Sequence, residues 1–244
     1  MDSGYYAAMT GLVARTQALD AAAANLANSQ TAGYRAEREY FRSVIGPDGG
    51  DSQLGQAVNR YGLLGGDRLS MAQGPLQPTG NPLDLAIDGN GFFAIRTSNG
   101  IRYTRDGSFH RSQTGIVVTA ANEPVLSSTG QPIAIPPGEV AVGSTGVISV
   151  SGGVVATVGV TDFPEKAQLK PEGANRYVAP DGIKASQSKD AGIHQGALEG
   201  ANQDVVQGTL GLIMMQRQAE MMQKALTVFH TEFNKTATED LPRV

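Results

Sequence analysis

Val205-Val206-Gln207-Gly208-Thr209-Leu210-Gly211-Leu212-Ile213-Met214-Met215-Gln216-Arg217-Gln218-Ala219-Glu220-Met221-Met222-Gln223-Lys224-Ala225-Leu226-Thr227-Val228-Phe229-His230-Thr231-Glu232-Phe233 is the stretch that decides the fold. Val205, Gly208, Leu212, Met215, Ala219, Met222, Leu226, Phe229 and Phe233 recur in alternating steps of three and four. That heptad rhythm puts all of them along one seam of a helix. At about 1.5 Å per residue the helix is expected to run roughly 44 Å. A seam of that length calls for a partner helix of similar length. The opposite end of the chain offers one: Tyr5, Met9, Leu12, Thr16, Leu19, Ala23 and Leu26 repeat in the same way, with only Thr16 polar. Alanines at 18 and 21–24 add intrinsic helix propensity. The expectation is that the two ends pair as a coiled coil; two ordinary amphipathic helices packed on a globular core is the plainer alternative.

Between the two ends the period changes. Asn28 and Gly33 read as stop and turn residues after the first helix. Residues 36–45 read as a short helix or extended arm, and 46–66, rich in Gly, Asn, Asp and Gln, as a connector. From about Leu69, short apolar runs alternate with turn dipeptides. The runs include 83–87, 92–95, 101–103, 116–118, 124–126, 133–135, 147–150, 154–160 and 177–178. The dipeptides are Asn90-Gly91, Asn99-Gly100, Asp106-Gly107, Thr129-Gly130 and Gly152-Gly153. Strands so spaced predict an antiparallel β domain. The fold class expected is therefore mainly β with α-helical termini. The divisions expected are an N-terminal helix and turn (1–35), a linker or arm (36–68), an antiparallel β domain (69–180), a second linker (181–202) and a C-terminal helix (203–244) that starts near Asn202 or Asp204, both good N-cap residues.

Composition narrows the function. The chain has 244 residues and a formal net charge of −4, and no basic stripe argues for nucleic acid. It has no cysteine, so thiolate metal sites, disulfides and cysteine nucleophiles are excluded. No apolar run reaches the length of a membrane span, and the N-terminus lacks the basic and apolar regions of a secretory signal.

Three blocks resemble the axial proteins of the bacterial flagellum, in particular the basal-body rod proteins. The first is Ala24-Asn25-Leu26-Ala27-Asn28 with Thr31-Ala32-Gly33-Tyr34, where Ala24 replaces a common second Asn. The second runs Gln73-Gly74-Pro75-Leu76-Gln77-Pro78-Thr79-Gly80-Asn81-Pro82-Leu83-Asp84-Leu85-Ala86-Ile87, then Gly89-Asn90-Gly91-Phe92-Phe93, then Tyr103-Thr104-Arg105-Asp106-Gly107-Ser108-Phe109. The third is Gln195-Gly196-Ala197-Leu198-Glu199-Gly200-Ala201-Asn202 and on to Val206. Met1 to Met9 is most similar to the proximal-rod F type of the family, with the distal-rod G type next. The resemblance implies a structural subunit of the rod, the drive shaft between motor and hook, which stacks helically through its terminal helices. It implies other rod and hook proteins, further copies of itself and the flagellar type III export apparatus as partners. It also implies a place in the basal body, reached without a cleaved signal peptide.

Chemistry has little purchase here. Gly89-Asn90-Gly91-Phe92-Phe93-Ala94 matches a dinucleotide fingerprint in letters only. That motif needs a helix after it, and more strand-like sequence follows, so a hairpin turn is the expectation. His110, His194 and His230 are scattered without metal-ligand spacing. Asp84 and Asp88 could share a strand face as a carboxylate pair, though turn and cross-strand hydrogen bonding is the plainer role. Arg102, Arg105 and Arg111 could form a small basic face that makes an inter-subunit contact, though a salt-bridged surface is the plainer role. No catalytic, cofactor or metal site, and no membrane insertion, is expected. The alternatives are a distal-rod or hook-type axial protein and, from another class, a secreted β module binding cell-wall glycan, which lacks the tryptophans such a module would favour.

Overall fold

The computed structural model describes residues 2–42, 63–164, 169–180, 182–183, 185–188 and 190–235. The chain divides into two compact units. One comprises Met1–Ala27, Glu37–Arg68 and Val205–Val244, the other Asn28–Ala36 and Leu69–Asp204.

The first unit is built on two helices, α1 (Asp2–Ala27) and α2 (Val205–Lys235), of 26 and 31 residues. At about 1.5 Å per residue they span roughly 39 and 46 Å. The helices pack on each other, and the Arg15 guanidinium donates to Oε1 of Gln218 at 2.6 Å. Beside them β1 (Glu37–Arg42) pairs with β2 (Leu63–Leu69), so the segment expected as short helix or arm is a strand as far as Arg42. Most of the expected 46–66 connector lies outside the described residues. Near the end of α1 the buried Asn25 amide mimics a strand neighbour. Its Oδ1 accepts from the Glu37 N–H at 2.9 Å and its Nδ2 donates to the Glu37 carbonyl at 2.8 Å.

The second unit is antiparallel β. Its main sheet has the order β13-β14-β6-β5-β12-β15, where β5 is Phe92–Thr97, β6 Gly100–Thr104, β12 Val160–Asp162, β13 Lys170–Gly173, β14 Arg176–Val178 and β15 Ser186–Gln187. A second sheet joins β9 (Val140–Val142), β10 (Val147–Val150) and β11 (Gly153–Thr157). Three ribbons complete it: β3 (Leu76–Pro78) with β17 (Ala197–Glu199), β4 (Leu85–Asp88) with β16 (Gly192–Gln195), and β7 (His110–Arg111) with β8 (Val117–Val118). Central strand β5 is buried on both faces, which is why Phe92 to Ile95 reads as a continuous apolar run rather than an alternation. Phe93 and Ile95 enter the main core with Leu85, Ile87, Phe109, Val117, Val125, Ile133 and Ile148. Phe92 enters a smaller aromatic cluster with Phe163 and Tyr177, edge-on to both.

Two expectations need correction. The stretch 181–202 is not a plain linker: β15, β16 and β17 lie in it, and β16 and β17 pair with strands more than 100 residues earlier. Its polar composition belongs to ribbon strands with one wet side. The Gly89–Gly91 segment is a turn but not a hairpin, because β4 pairs with β16 and β5 with β6. Helix α2 begins at Val205, directly after Asp204, as one of the two expected starts has it, and the other candidate, Asn202, is engaged elsewhere. Its Oδ1 accepts from the Ala36 N–H at 2.7 Å, and its Nδ2 donates to the Ser70 and Ala72 carbonyls.

Candidate assembly surface and ion-paired junction

Along α2 the heptad positions Gly208, Leu212, Met215, Ala219, Met222 and Leu226 are buried or half-buried, while Val205 is exposed. The opposite side of α2 is also apolar. Val206, Leu210, Ile213, Met214, Met221 and Val228 are all exposed, Met214 by 64% and Val228 by 60%. A surface helix ordinarily turns a charged face outward; the outward side of α2 carries Arg217 and Lys224 but is otherwise largely apolar.

On α1 the most buried side chains are Ala14, Ala18 and Asn25. At about 100° per residue these lie roughly opposite the seam read from the sequence, Met9, Leu12, Leu19, Ala23 and Leu26. Of that seam, Leu12, Leu19 and Leu26 are half-buried, whereas Met9 and Ala23 are exposed. The seam is thus only partly covered within this chain, and the most buried side of α1 is the one that carries Ala14 and Ala18. Small side chains occupy the covered side, and the larger leucines lie on its flank. The side chains of Tyr5, Phe229 and Phe233 lie outside the described residues.

In the β unit the motif residues converge on one buried carboxylate, that of Glu199. Its Oε1 accepts from the Gly74 N–H at 2.8 Å and pairs with Nη2 of Arg35 at 3.0 Å. Its Oε2 accepts from Nη1 of Arg105 at 2.9 Å, and its backbone carbonyl accepts from the Gly33 N–H at 2.7 Å. Arg105 also donates to the Ile87 and Gly89 carbonyls and lies over the Phe92 ring, 5.4 Å from its centroid. Burial pulls the Arg105 guanidinium down to about 10, the Glu199 charge resisting and the Arg35 charge adding to the fall. Arg35 donates to the Met71 and Ala72 carbonyls, and its N–H reaches the Tyr177 hydroxyl. Arg35 stands just past the first motif block, outside the residues that the sequence marks as a site. The signal available was a charged residue between the apolar turn and an extended segment.

The other motif residues build the surrounding turns. Asp84 is buried and accepts from Thr79 at 2.6 Å and Asn81 at 2.9 Å, and its carbonyl accepts from the Gly196 N–H. Asp88 is exposed beside His194, so the two carboxylates do not form a dyad. Gln195 ties three segments, accepting from the Val142 N–H and donating to the Pro82 and Val140 carbonyls. Thr104 caps the Asp106 N–H, Tyr103 stacks edge-on against Phe163, and Phe109 against Phe93. The Gly80 N–H donates to the Gly196 carbonyl, and the Gly89 N–H to the Gln73 side chain. Asn28 accepts from Thr31, and Leu83 and Leu198 are half-buried. Two of the three arginines take the salt-bridged role that was the plainer expectation, and they form no common basic face. Arg102 is a half-buried partner of Glu172, Arg105 is buried with Glu199, and Arg111 is exposed. Among the described residues no cluster of His, Asp or Glu has the spacing to hold a metal, and no helix is long and apolar enough to cross a membrane.

Residues 6–35 match the family described as flagella basal body rod protein, and residues 86–150 that described as flagellar hook protein FlgE/F/G D1 domain. The flagellar basal-body rod protein FlgF of Caulobacter vibrioides is 32% identical over 246 residues, which is 100% of each chain. The chain belongs to the flagellar basal-body rod protein family. FlgF of Rhizobium meliloti is 35% identical across 89% of each chain, and FlgG of Bacillus subtilis 29% identical across 91% of this chain and 93% of its own. In this rod protein Asn25, Gly33 and Arg35 fall in the first matched stretch and Arg105 in the second, whereas Glu199, which gathers both arginines, lies beyond both.

Proposed function

We propose that the chain is a structural subunit of the flagellar basal-body rod, part of the shaft that carries torque from motor to hook, and that it does no catalysis. Family membership supports the role. The observation that carries the assembly reading is the pair of open apolar faces on the terminal helices: Met9, Val13 and Ala23 on α1, and Val206, Leu210, Met214, Met221 and Val228 on α2. Exposed apolar stripes this long are characteristic of interaction surfaces. Methionine is well suited to them, because its flexible side chain can fit neighbours that differ slightly around a helical array.

On this reading α1 and α2 pair lengthwise in coiled-coil fashion, and their outward faces meet the helices of neighbouring rod and hook subunits, including further copies of this chain. Export through the flagellar type III apparatus, and a proximal F-type position, accord with the resemblance at Met1–Met9 and with the F-type relatives. The test is complementation of a strain lacking this chain. The full chain restores swimming, and a chain ending at Gln203 does not; swimming restored by the shorter chain would refute assembly through α2.

A further inference from the structure

Three side chains, from the beginning, middle and end of the β unit, meet in one buried site. Arg35, Arg105 and Glu199 are each 2% exposed or less. Two guanidiniums face a single carboxylate, so the three together carry one net positive charge. The Nε atoms of both arginines are buried and without a hydrogen-bond partner among the described residues. With Glu199 in place each guanidinium has an ion pair, at 3.0 and 2.9 Å. Without it, two like charges would share a desolvated site with no ion-paired counter-charge, Asp162 acting on Arg105 only through space, which is among the costliest defects a fold can carry.

The carboxylate arrives on β17, late in the chain. The same short stretch closes several other seams. The Glu199 carbonyl takes the Gly33 N–H, the Gly200 N–H reaches the Pro75 carbonyl, and the Asn202 side chain takes the Ala36 N–H. Residues 33–36 and 197–202 are thus fastened to each other and to 70–75 through Glu199 and Asn202. These are the parts of the β unit from which the chain continues into α1 and α2.

We propose that Glu199 is the closing charge of an interlock: residues 33–36 and Arg105 reach their folded positions only when β17 docks, so the β unit stays open until the C-terminal part of the chain is present. Glu199 acts as a positioning residue, holding the two connecting segments through the arginines. Chains emerge N-terminus first, so Arg35 and Arg105 precede their counter-charge, and the interlock delays closure until nearly the whole chain is available. The inference stands on the β unit alone and does not depend on the rod reading.

The test uses full-length chains carrying Glu199→Gln, Arg105→Met, or both. Urea unfolding gives the equilibrium constant, and amide hydrogen exchange reads residues 33–36. Glu199→Gln keeps the size and the backbone hydrogen bonds, so a purely steric role predicts little change. The interlock predicts roughly a 100-fold fall in the folded-to-unfolded ratio and at least a tenfold faster exchange at Gly33 and Ala36. Arg105→Met, added to Glu199→Gln, restores part of that loss, because it removes one of the two unpaired charges. If Glu199→Gln alone does not fold, recovery of a folded chain in the double variant supports the interlock. A double variant that loses as much as the two single changes together, or that does not fold, would overturn it, as would unchanged exchange at residues 33–36 in Glu199→Gln.

Discussion

At the scale of single residues the motif blocks turn out to be contact points. Gly107 packs so closely on β4 that a Cβ there would lie 1.7 Å from the Leu85 carbonyl oxygen. Gly33 holds a φ of +68°, and a Cβ would fall 2.2 Å from the Asp106 nitrogen. Neither backbone can move away cheaply, so Gly107→Ala and Gly33→Ala are each expected to destabilise the β unit by about 3 kcal/mol or more. The measurement is the urea midpoint; a shift worth under about 1 kcal/mol would mean the contacts yield more readily than drawn. The sequence displayed these glycines but not their neighbours. It also displayed Arg102, Arg105 and Arg111 as three similar charges, although one is buried on Glu199, 94 residues away. Nothing local separates them: burial is decided by which strand arrives, and β17 arrives from the far end of the chain.

At the scale of elements the two helices were legible as helices, but only one of their faces was legible as such. On α2 the heptad seam coincides with the buried and half-buried side. On α1 an alanine face and a leucine seam compete, and periodicity of apolar residues favours the larger side chains while close packing takes the smaller. Ala219→Leu, at a position 6% exposed, is expected to overpack the helical unit and lower its stability by about 1–3 kcal/mol. Met214→Lys and Met221→Lys, both on the exposed stripe, are expected to leave the monomer's unfolding midpoint within about 0.5 kcal/mol and to abolish swimming. Retained swimming with both lysines present would remove the stripe from the assembly. A helix pair with so much open apolar surface also gains little from its own contacts. In dilute monomer, amides of α1 and α2 are expected to exchange far faster than those of β5, and to become protected on assembly; equal protection in the monomer would count against that.

At the scale of the whole molecule the order of helix, β body and helix followed from the change of hydrophobic period along the chain. The end of the β body did not. A boundary near residue 180 follows from polar composition, yet β16 and β17 return to pair with β4 and β3, and long-range pairing of short polar strands leaves no periodic trace. A chain ending at Gln203 keeps Glu199 and Asn202, so it is expected to retain a cooperatively folding β unit while losing rod assembly. The most direct test of assembly through the outward helix faces uses the fact that the chain has no native cysteine. With Met214→Cys in an otherwise unchanged, motile chain, maleimide labelling is compared between dilute monomer and purified basal bodies. The account predicts rapid labelling in the monomer and shielding in the basal body; equally rapid labelling in both would contradict it.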